Sequence, residues 1–323
     1  MEFKDGAILM AKSFLVSYLI FHSEYPSTNS WTKEIQDTFN FTVTSAFTPF
    51  TSFPCSFWTN ESGTWAQRVG SLTATNATSK VFTYQPNEGN ILWGIRCPQS
   101  DDGNIINTSI NFTLNIDRTL PIVEITQLNN ISISNSSYFS RNSLSINYSI
   151  TELNQNTCRL YVNNSLNVSD LFKADSDKNF TLTASDGIYN ILVGCNDSAN
   201  NWKNSSTYQV ILDTLPPQLI EPHNVSTGGF ANRRSINFSS NENINSTIFY
   251  GTTIDTTSSI ANNSFSTGKN ITISGFEQNT QYYFNITVCD RAGNCNNSGT
   301  AFGQYSFVFP FKLLTGWSYY GIY

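Results

Sequence analysis

The sequence predicts an all-β protein built as three β-sandwiches in tandem. Three observations lead there. Charged residues make up only 12% of the 323, and Asn, Ser and Thr take their place, at 40, 41 and 35 residues. Strong helix formers are therefore scarce. Aromatic residues reach 14%, enough to fill cores and too many for a disordered chain. Short runs alternate apolar and polar residues at intervals of roughly 8 to 15 residues, with no helical period. A unit of roughly 95 to 105 residues then recurs along the chain.

The repeat is clearest around two cysteine-containing strands. Glu88-Gly89-Asn90-Ile91-Leu92-Trp93-Gly94-Ile95-Arg96-Cys97 aligns without gaps to Asp186-Gly187-Ile188-Tyr189-Asn190-Ile191-Leu192-Val193-Gly194-Cys195. Upstream, Cys55 to Asn60 aligns to Cys158 to Asn163. Downstream, Asp117-Arg118-Thr119-Leu120-Pro121 aligns to Asp213-Thr214-Leu215-Pro216-Pro217. Proline cannot donate to a strand ladder, so these Asp-x-x-x-Pro segments read as junctions. In a third unit, Asn245 to Gly251 and Tyr282 to Asp290 take the two strand positions, and Pro310 takes the junction place. The expected organisation is an extension at 1–16, sandwiches at 17–118, 119–214 and 215–310, and an extension at 311–323.

Each unit needs an opening strand. Ile122 to Thr126 supplies it in the second unit, and Ser17 to Phe21 fills that place in the first. The region Ala7 to Phe21 also has the length of a signal-peptide core. Its flank carries Glu2, Lys4 and Asp5 rather than a cationic cluster, and its removal would delete the first strand. The strand reading is preferred. No run of 18 apolar residues exists to cross a membrane as a helix.

The compartment is read from N-glycosylation sequons. N-x-[ST] occurs 20 times, where these amounts of Asn, Ser and Thr would give about nine by chance. The acceptors are Asn40, Asn60, Asn76, Asn107, Asn111, Asn130, Asn135, Asn147, Asn163, Asn167, Asn179, Asn196, Asn204, Asn224, Asn237, Asn245, Asn262, Asn270, Asn285 and Asn296. In many of them, Asn40, Asn111, Asn147, Asn237 and Asn285 among these, the middle residue is apolar. On a strand that residue turns inward while Asn and the hydroxyl share the outer face. An exported chain with sugar on its strand faces is expected.

Two turn motifs carry a resemblance. Phe276-Glu277-Gln278-Asn279-Thr280-Gln281-Tyr282 resembles the fibronectin type III pattern L-x-P-x-T-x-Y, with Phe for Leu and Gln for Pro. Its Tyr makes the tyrosine corner of that family. Cys289-Asp290-Arg291-Ala292-Gly293-Asn294-Cys295 and Cys195-Asn196-Asp197-Ser198-Ala199-Asn200-Asn201 resemble the D-x-A-G-N turns of prokaryotic Ig-like and fibronectin-like surface repeats. The likeness spans about residues 17 to 310. It implies a modular archaeal or bacterial cell-surface protein, and no catalytic residue.

Six cysteines in an exported β-protein suggest three disulfides. Cys97 shares the apolar phase of Ile91, Trp93 and Ile95, and Cys195 that of Tyr189, Ile191 and Val193, so both face a core. Cys55 and Cys158 open the neighbouring strands. Cys55–Cys97 and Cys158–Cys195 are the expected pairs. In the third unit the apolar phase is Tyr282, Phe284, Ile286 and Val288, which leaves Cys289 outward and pairs it with Cys295 across the turn.

Catalytic motifs are absent, including G-x-S-x-G, H-E-x-x-H and the P-loop. Two histidines, His22 and His223, are too few for His-based metal sites. The net charge of −6 and the lack of a basic cluster argue against nucleic acid. Asp175-Ser176-Asp177-Lys178-Asn179 has oxygen ligands at calcium-loop spacing, but Phe180 stands where such a loop needs Gly. That stretch and Asp101-Asp102-Gly103-Asn104 read as solvated turns, so no cofactor or metal is expected. Trp65 and Trp202, in polar contexts, are weak sugar-stacking candidates beside a core-capping role; Trp58 and Trp93 read as packing. The apolar segment 311–323 suggests a strand donated to a neighbour. The expected function is a non-enzymatic, glycosylated extracellular module of a stalk, surface layer or filament, with surface proteins or further copies as partners. The alternative is a carbohydrate- or protein-binding accessory region of a larger secreted enzyme.

Overall fold

The computed structural model describes residues 19–45, 51–98, 105–107, 111–133, 136–171, 178–226, 232–277, 280–297 and 305–308. Among these residues the secondary structure is all strand and turn. Three separate apolar cores form along the chain, one per expected unit.

The first unit holds β1 (Leu19–Tyr25), β2 (Ser30–Thr32), β3 (Asp37–Ser45), β4 (Ser52–Thr59), β5 (Ala66–Thr75), β6 (Ser79–Tyr84), β7 (Gly89–Pro98), β8 (Ile105–Asn107) and β9 (Phe112–Ile116). One sheet has the order β1-β3-β6; the other runs β2-β9-β7-β4-β5, with β8 beside β7. Alternation decides which side chains go inside. Phe39, Phe41 and Val43 of β3 are buried against Phe57 of β4 and Trp93 of β7. The Phe39 ring lies 4.3 Å from Phe57 and 5.0 Å, edge-on, from Trp93. Such offset contacts suit aromatic quadrupoles.

The second unit holds β10 (Ile122–Leu128), β11 (Ile131–Ser132), β12 (Ser137–Phe139), β13 (Ser143–Thr151), β14 (Gln155–Val162), β15 (Ser165–Leu171), β16 (Asn179–Thr183), β17 (Gly187–Asp197), β18 (Trp202–Asn204) and β19 (Tyr208–Leu212). Its larger sheet, β12-β19-β17-β14-β15, repeats that of the first unit strand for strand. In both, a three-residue strand lies parallel to the unit's last strand, β2 on β9 and β12 on β19. This sets the exit direction of the chain.

The third unit holds β20 (Leu219–Ser226), β21 (Arg233–Gly251), β22 (Ser258–Ser274), β23 (Gln281–Cys289), β24 (Cys295–Asn297) and β25 (Tyr305–Val308). Here β21 is one strand of 19 residues where the second unit has β13 and β14. Its pairing with β22 shifts between Ser239 and Ile244, where the strand passes from one layer to the other. The Tyr282 hydroxyl is buried and accepts the Glu277 N–H at 3.1 Å, a bond back to backbone five residues upstream.

The disulfides are Cys55–Cys97, Cys158–Cys195 and Cys289–Cys295. Cys158 faces Cys195 in the β14–β17 ladder, and Cys289 faces Cys295 in the β23–β24 ladder. Each therefore staples neighbouring strands of one sheet rather than the two layers. The first two are at most 4% exposed; Cys295 is exposed. Replacing both Cys158 and Cys195 by Ala should destabilise the second unit by roughly 3–4 kcal/mol on the chain-entropy model. Hydrogen exchange under mild denaturant should show the loss in β14 and β17, with the first unit unchanged.

Candidate functional site

The most organised polar chemistry lies at the two junctions between units. Each is built from the same four pieces of sequence. The first is the junction aspartate, which directly follows the last strand of a unit. Asp117 donates its N–H to the Thr32 carbonyl at the end of β2, and Asp213 does the same to Phe139 at the end of β12, both at 3.0 Å. These N–H groups still belong to the preceding sandwich. The carbonyls already belong to the next one. The Asp117 carbonyl accepts from Nδ2 of Asn201 at 2.8 Å, and the Asp213 carbonyl from Nδ2 of Asn294 at 2.7 Å.

The second piece is the turn that aims those carboxamides. Asp197 accepts both the N–H and the Nδ2 of Asn201, at 2.8 and 2.7 Å. Asp290 holds Asn294 identically, at 3.0 and 2.8 Å. The residue before each Asn has positive φ, 65° at Asn200 and 90° at Gly293. Asn and Gly are the residues that enter this left-handed region most readily.

The third piece is the acid that opens the central strand of the preceding unit. Glu88 accepts the Thr119 hydroxyl at 2.7 Å and the Arg118 N–H at 3.1 Å. Asp186 accepts the Thr214 hydroxyl at 3.1 Å. The Thr119 hydroxyl, and then the Arg118 N–H, hold the Glu88 carboxyl below its ordinary range. That contact contributes at neutral pH and is lost as pH falls through the carboxylate range.

The fourth piece is a glutamate, Glu152 between β13 and β14 and Glu242 at the bend of β21. It completes two carboxylate clusters, Asp117–Glu152–Asp197 and Asp213–Glu242–Asp290, each with oxygens within 4.8 Å of one another. Asp117, Asp197 and Asp290 are buried, at 7%, 0% and 3% exposure. Burial first, then the charges of Asp213 and Asp290, push the Glu242 carboxyl up. Burial also raises Asp213, with Asp290 and Asp186 adding to it against the Leu215 N–H. These six are the residues that could hold a hard divalent cation. Three carboxylate oxygens fall short of the six to eight ligands calcium takes, so carbonyls and water would have to supply the rest.

The sequence reading missed this constellation. The signal was present in the recurrence of Asp117 with Asp213 and Asp197 with Asp290, but nothing in it placed the carboxylates together. Asp175, Asp177 and the segment 101–104 lie outside the described residues. Asn111, Asn130, Asn163, Asn167, Asn179, Asn204 and Asn270 are exposed; Asn40, Asn60, Asn76, Asn147, Asn237, Asn245, Asn262, Asn285 and Asn296 are half-buried. Asn135 lies outside the described residues, and Asn107 and Asn224 are described in backbone only. Asn196 is the one buried acceptor among those whose side chains are described. It is 7% exposed, its Oδ1 accepts the Thr157 N–H at 3.0 Å, and its Nδ2 donates to Asn200 at 3.1 Å. Its carboxamide is the least accessible of the acceptors whose side chains are described. Trp202 lies under the Arg159 guanidinium at 4.9 Å, and Trp93 is core. Beside the first junction a groove of about 820 Å³ is lined by Trp31, Asn90, Asn115, Leu120, Ile122 and Leu153 among others.

The sequence matches no protein-family model and no curated protein. Solved structures with which it aligns include the fibronectin(III)-like modules of Clostridium thermocellum CbhA, at 15% identity and TM-score 0.35, over 60% of this chain and 93% of that one. A 1.5-MDa bacterial ice-binding adhesin aligns at 14% and 0.37, over 87% and 95%. A marsupial T cell receptor aligns at 11% and 0.40, over 90% and 99%. Likeness at this level carries no argument about what the chain does.

A group whose folded-state pKa is raised favours the fold at low pH, and that contribution is lost as pH rises through the raised value. Glu242→Gln, which mimics the protonated acid, should therefore raise the melting temperature of the third unit at pH 7 in chelator. The gain should vanish as pH falls below the carboxylate range. A lower melting temperature at pH 7 would contradict the charge crowding, and a sign reversal on adding calcium would identify a bound cation.

Proposed function

We propose that the chain is a non-enzymatic, N-glycosylated extracellular module, a stalk, surface-layer or filament component in which sandwiches in series present a neighbouring element at fixed angles. One observation carries this reading. At each junction a single aspartate has its N–H in one sandwich and its carbonyl in the next. A connection with no free residue at that point transmits orientation and load. Three disulfides support an oxidising compartment, and the excess of sequons supports glycosylation. Its partners are other surface proteins or further copies, with strand donation the expected mode.

Two measurements test it. Glycopeptide mapping of natively produced protein should find sugar on exposed acceptors such as Asn111, Asn167 and Asn270, and none on Asn196. A sugar-free chain would remove the compartment argument. Small-angle scattering should fit one conformer for the native chain, whereas Asn201→Ala with Asn294→Ala should require an ensemble. A native chain that already needs an ensemble would sink the spacer reading.

The groove beside the first junction favours a second reading, a carbohydrate-binding accessory region. The Trp31 indole is 37% exposed there, near the carboxamides of Asn90 and Asn115. Binding of soluble oligosaccharides that is abolished by Trp31→Ala would support it over the spacer.

A further inference from the structure

We propose that the Cys289–Cys295 disulfide is a redox staple on the second junction. Its reduction by a thiol or dithiol frees the turn that holds the third unit to the second and leaves the first junction fixed. The inference deepens the spacer reading and rests on it.

The position of the bond motivates the idea. Cys289 is the last residue of β23 and Cys295 the first of β24, so the staple closes the Asp290–Asn294 turn. That hairpin carries two contacts across the junction, through Asn294 and Arg291, and one to the segment that leads out of it. Asn294 donates to the Asp213 carbonyl at 2.7 Å, and Asn296 donates to the Pro217 carbonyl at 2.9 Å. The Arg291 guanidinium, 4.7 Å from the Phe265 ring of its own unit, also lies 5.8 Å from the Tyr138 ring of the second unit. The ladder beneath is short. β24 has three residues, and their pairing with β23 ends at Cys289–Cys295 itself. A hairpin arm this short has little stability of its own.

The first junction solves the same problem without sulfur. There the residues flanking the turn, Asn196 and Trp202, are register partners. Asn196 is buried and bonded to Thr157 and Asn200, and the Ser198 N–H and hydroxyl both donate to the Asn154 carbonyl, at 2.7 and 3.1 Å. Lys33 of the first unit donates to the Asn200 carbonyl at 2.8 Å. The disulfide of that unit, Cys158–Cys195, lies inside the core. Both turns keep their Asp–Asn bonds; the first adds hydrogen bonds to Thr157, Asn154 and Lys33, and the second adds an accessible disulfide.

Access makes the switch selective. Thiol–disulfide exchange needs a thiolate to reach one sulfur. Cys295 is exposed and Cys289 half-buried, whereas Cys55, Cys97, Cys158 and Cys195 are at most 4% exposed. An external dithiol attacks through one thiolate and forms a mixed disulfide with one cysteine, expelling the other as thiolate. Its second thiol then displaces the remaining cysteine. The dithiol is oxidised to its disulfide, and two electrons and two protons end on Cys289 and Cys295.

The test uses the full chain with spin labels on non-canonical amino acids at Thr83, Thr183 and Ser274, one exposed site per unit. Pulsed electron paramagnetic resonance reads the 83–183 and 183–274 distance distributions before and after mild dithiothreitol, with peptide mapping of free thiols. Mapping should find only Cys289 and Cys295 reduced. The 183–274 distribution should broaden by about twofold or more while 83–183 keeps its width. Cys289→Ser with Cys295→Ser should reproduce the broadening without reductant. An unchanged 183–274 width with both thiols mapped as free overturns the staple, as does earlier opening of either core disulfide. A broad 183–274 distribution in the oxidised protein overturns the fixed-junction reading itself.

Discussion

The architecture depends on one residue whose backbone is shared between two sandwiches. The Asp117 N–H completes the parallel pairing of β2 with β9, while its carbonyl is bonded into the second unit. Asp213 repeats this between the second and third units. Only the φ and ψ of that one residue separate its N–H from its C=O. Satisfying them from different domains therefore restrains those two torsions and, with them, the local angle between the domains. A linker of even a few free residues would restore independent motion.

That arrangement demands an amide donor at a defined place in the following unit, and the donor must be held. Asp197 and Asp290 do so by accepting twice from the same asparagine. The consequence is a buried carboxylate at each junction, beside a second from the junction residue and a third from Glu152 or Glu242. Neutral N–H groups offset part of the burial cost. The two junctions then differ in their response to acid. At the first, Glu88 loses its hold on Thr119 as it protonates; at the second, protonation relieves the crowding of Glu242 and Asp213. Junction chemistry that is the same in outline thus differs in what would loosen it.

Much of the fold was legible because strand phase is a local property. Phe39, Phe41 and Val43, or Phe284, Ile286 and Val288, declare their faces within a few residues of sequence. The same phase separated Cys97 and Cys195 from Cys289, and the structure buries the first two and leaves the third nearer the surface. What was not legible is non-local. Asn201 and Asp117 are 84 residues apart, and Asn294 and Asp213 are 81 apart. Sequence marks the aspartates as junction punctuation and the asparagines as turn residues, and gives no sign that they bond. Asn196 is the opposite case. Its sequon is a true local pattern, but a ladder partner and a turn residue occupy both ends of its side chain. The fusion of two expected strands into β21 was also hidden, since the bend at Glu242 has neither Gly nor Pro to announce it.

The central claim is that the units share one orientation in solution. Residual dipolar couplings measured for the backbone amides of each unit test it most directly. The account predicts that all three units of the oxidised chain fit one alignment tensor with the orientations of the structure. Different tensors for neighbouring units, each fitting well alone, would contradict it. Asp117 and Asp213 would then be ordinary linker residues.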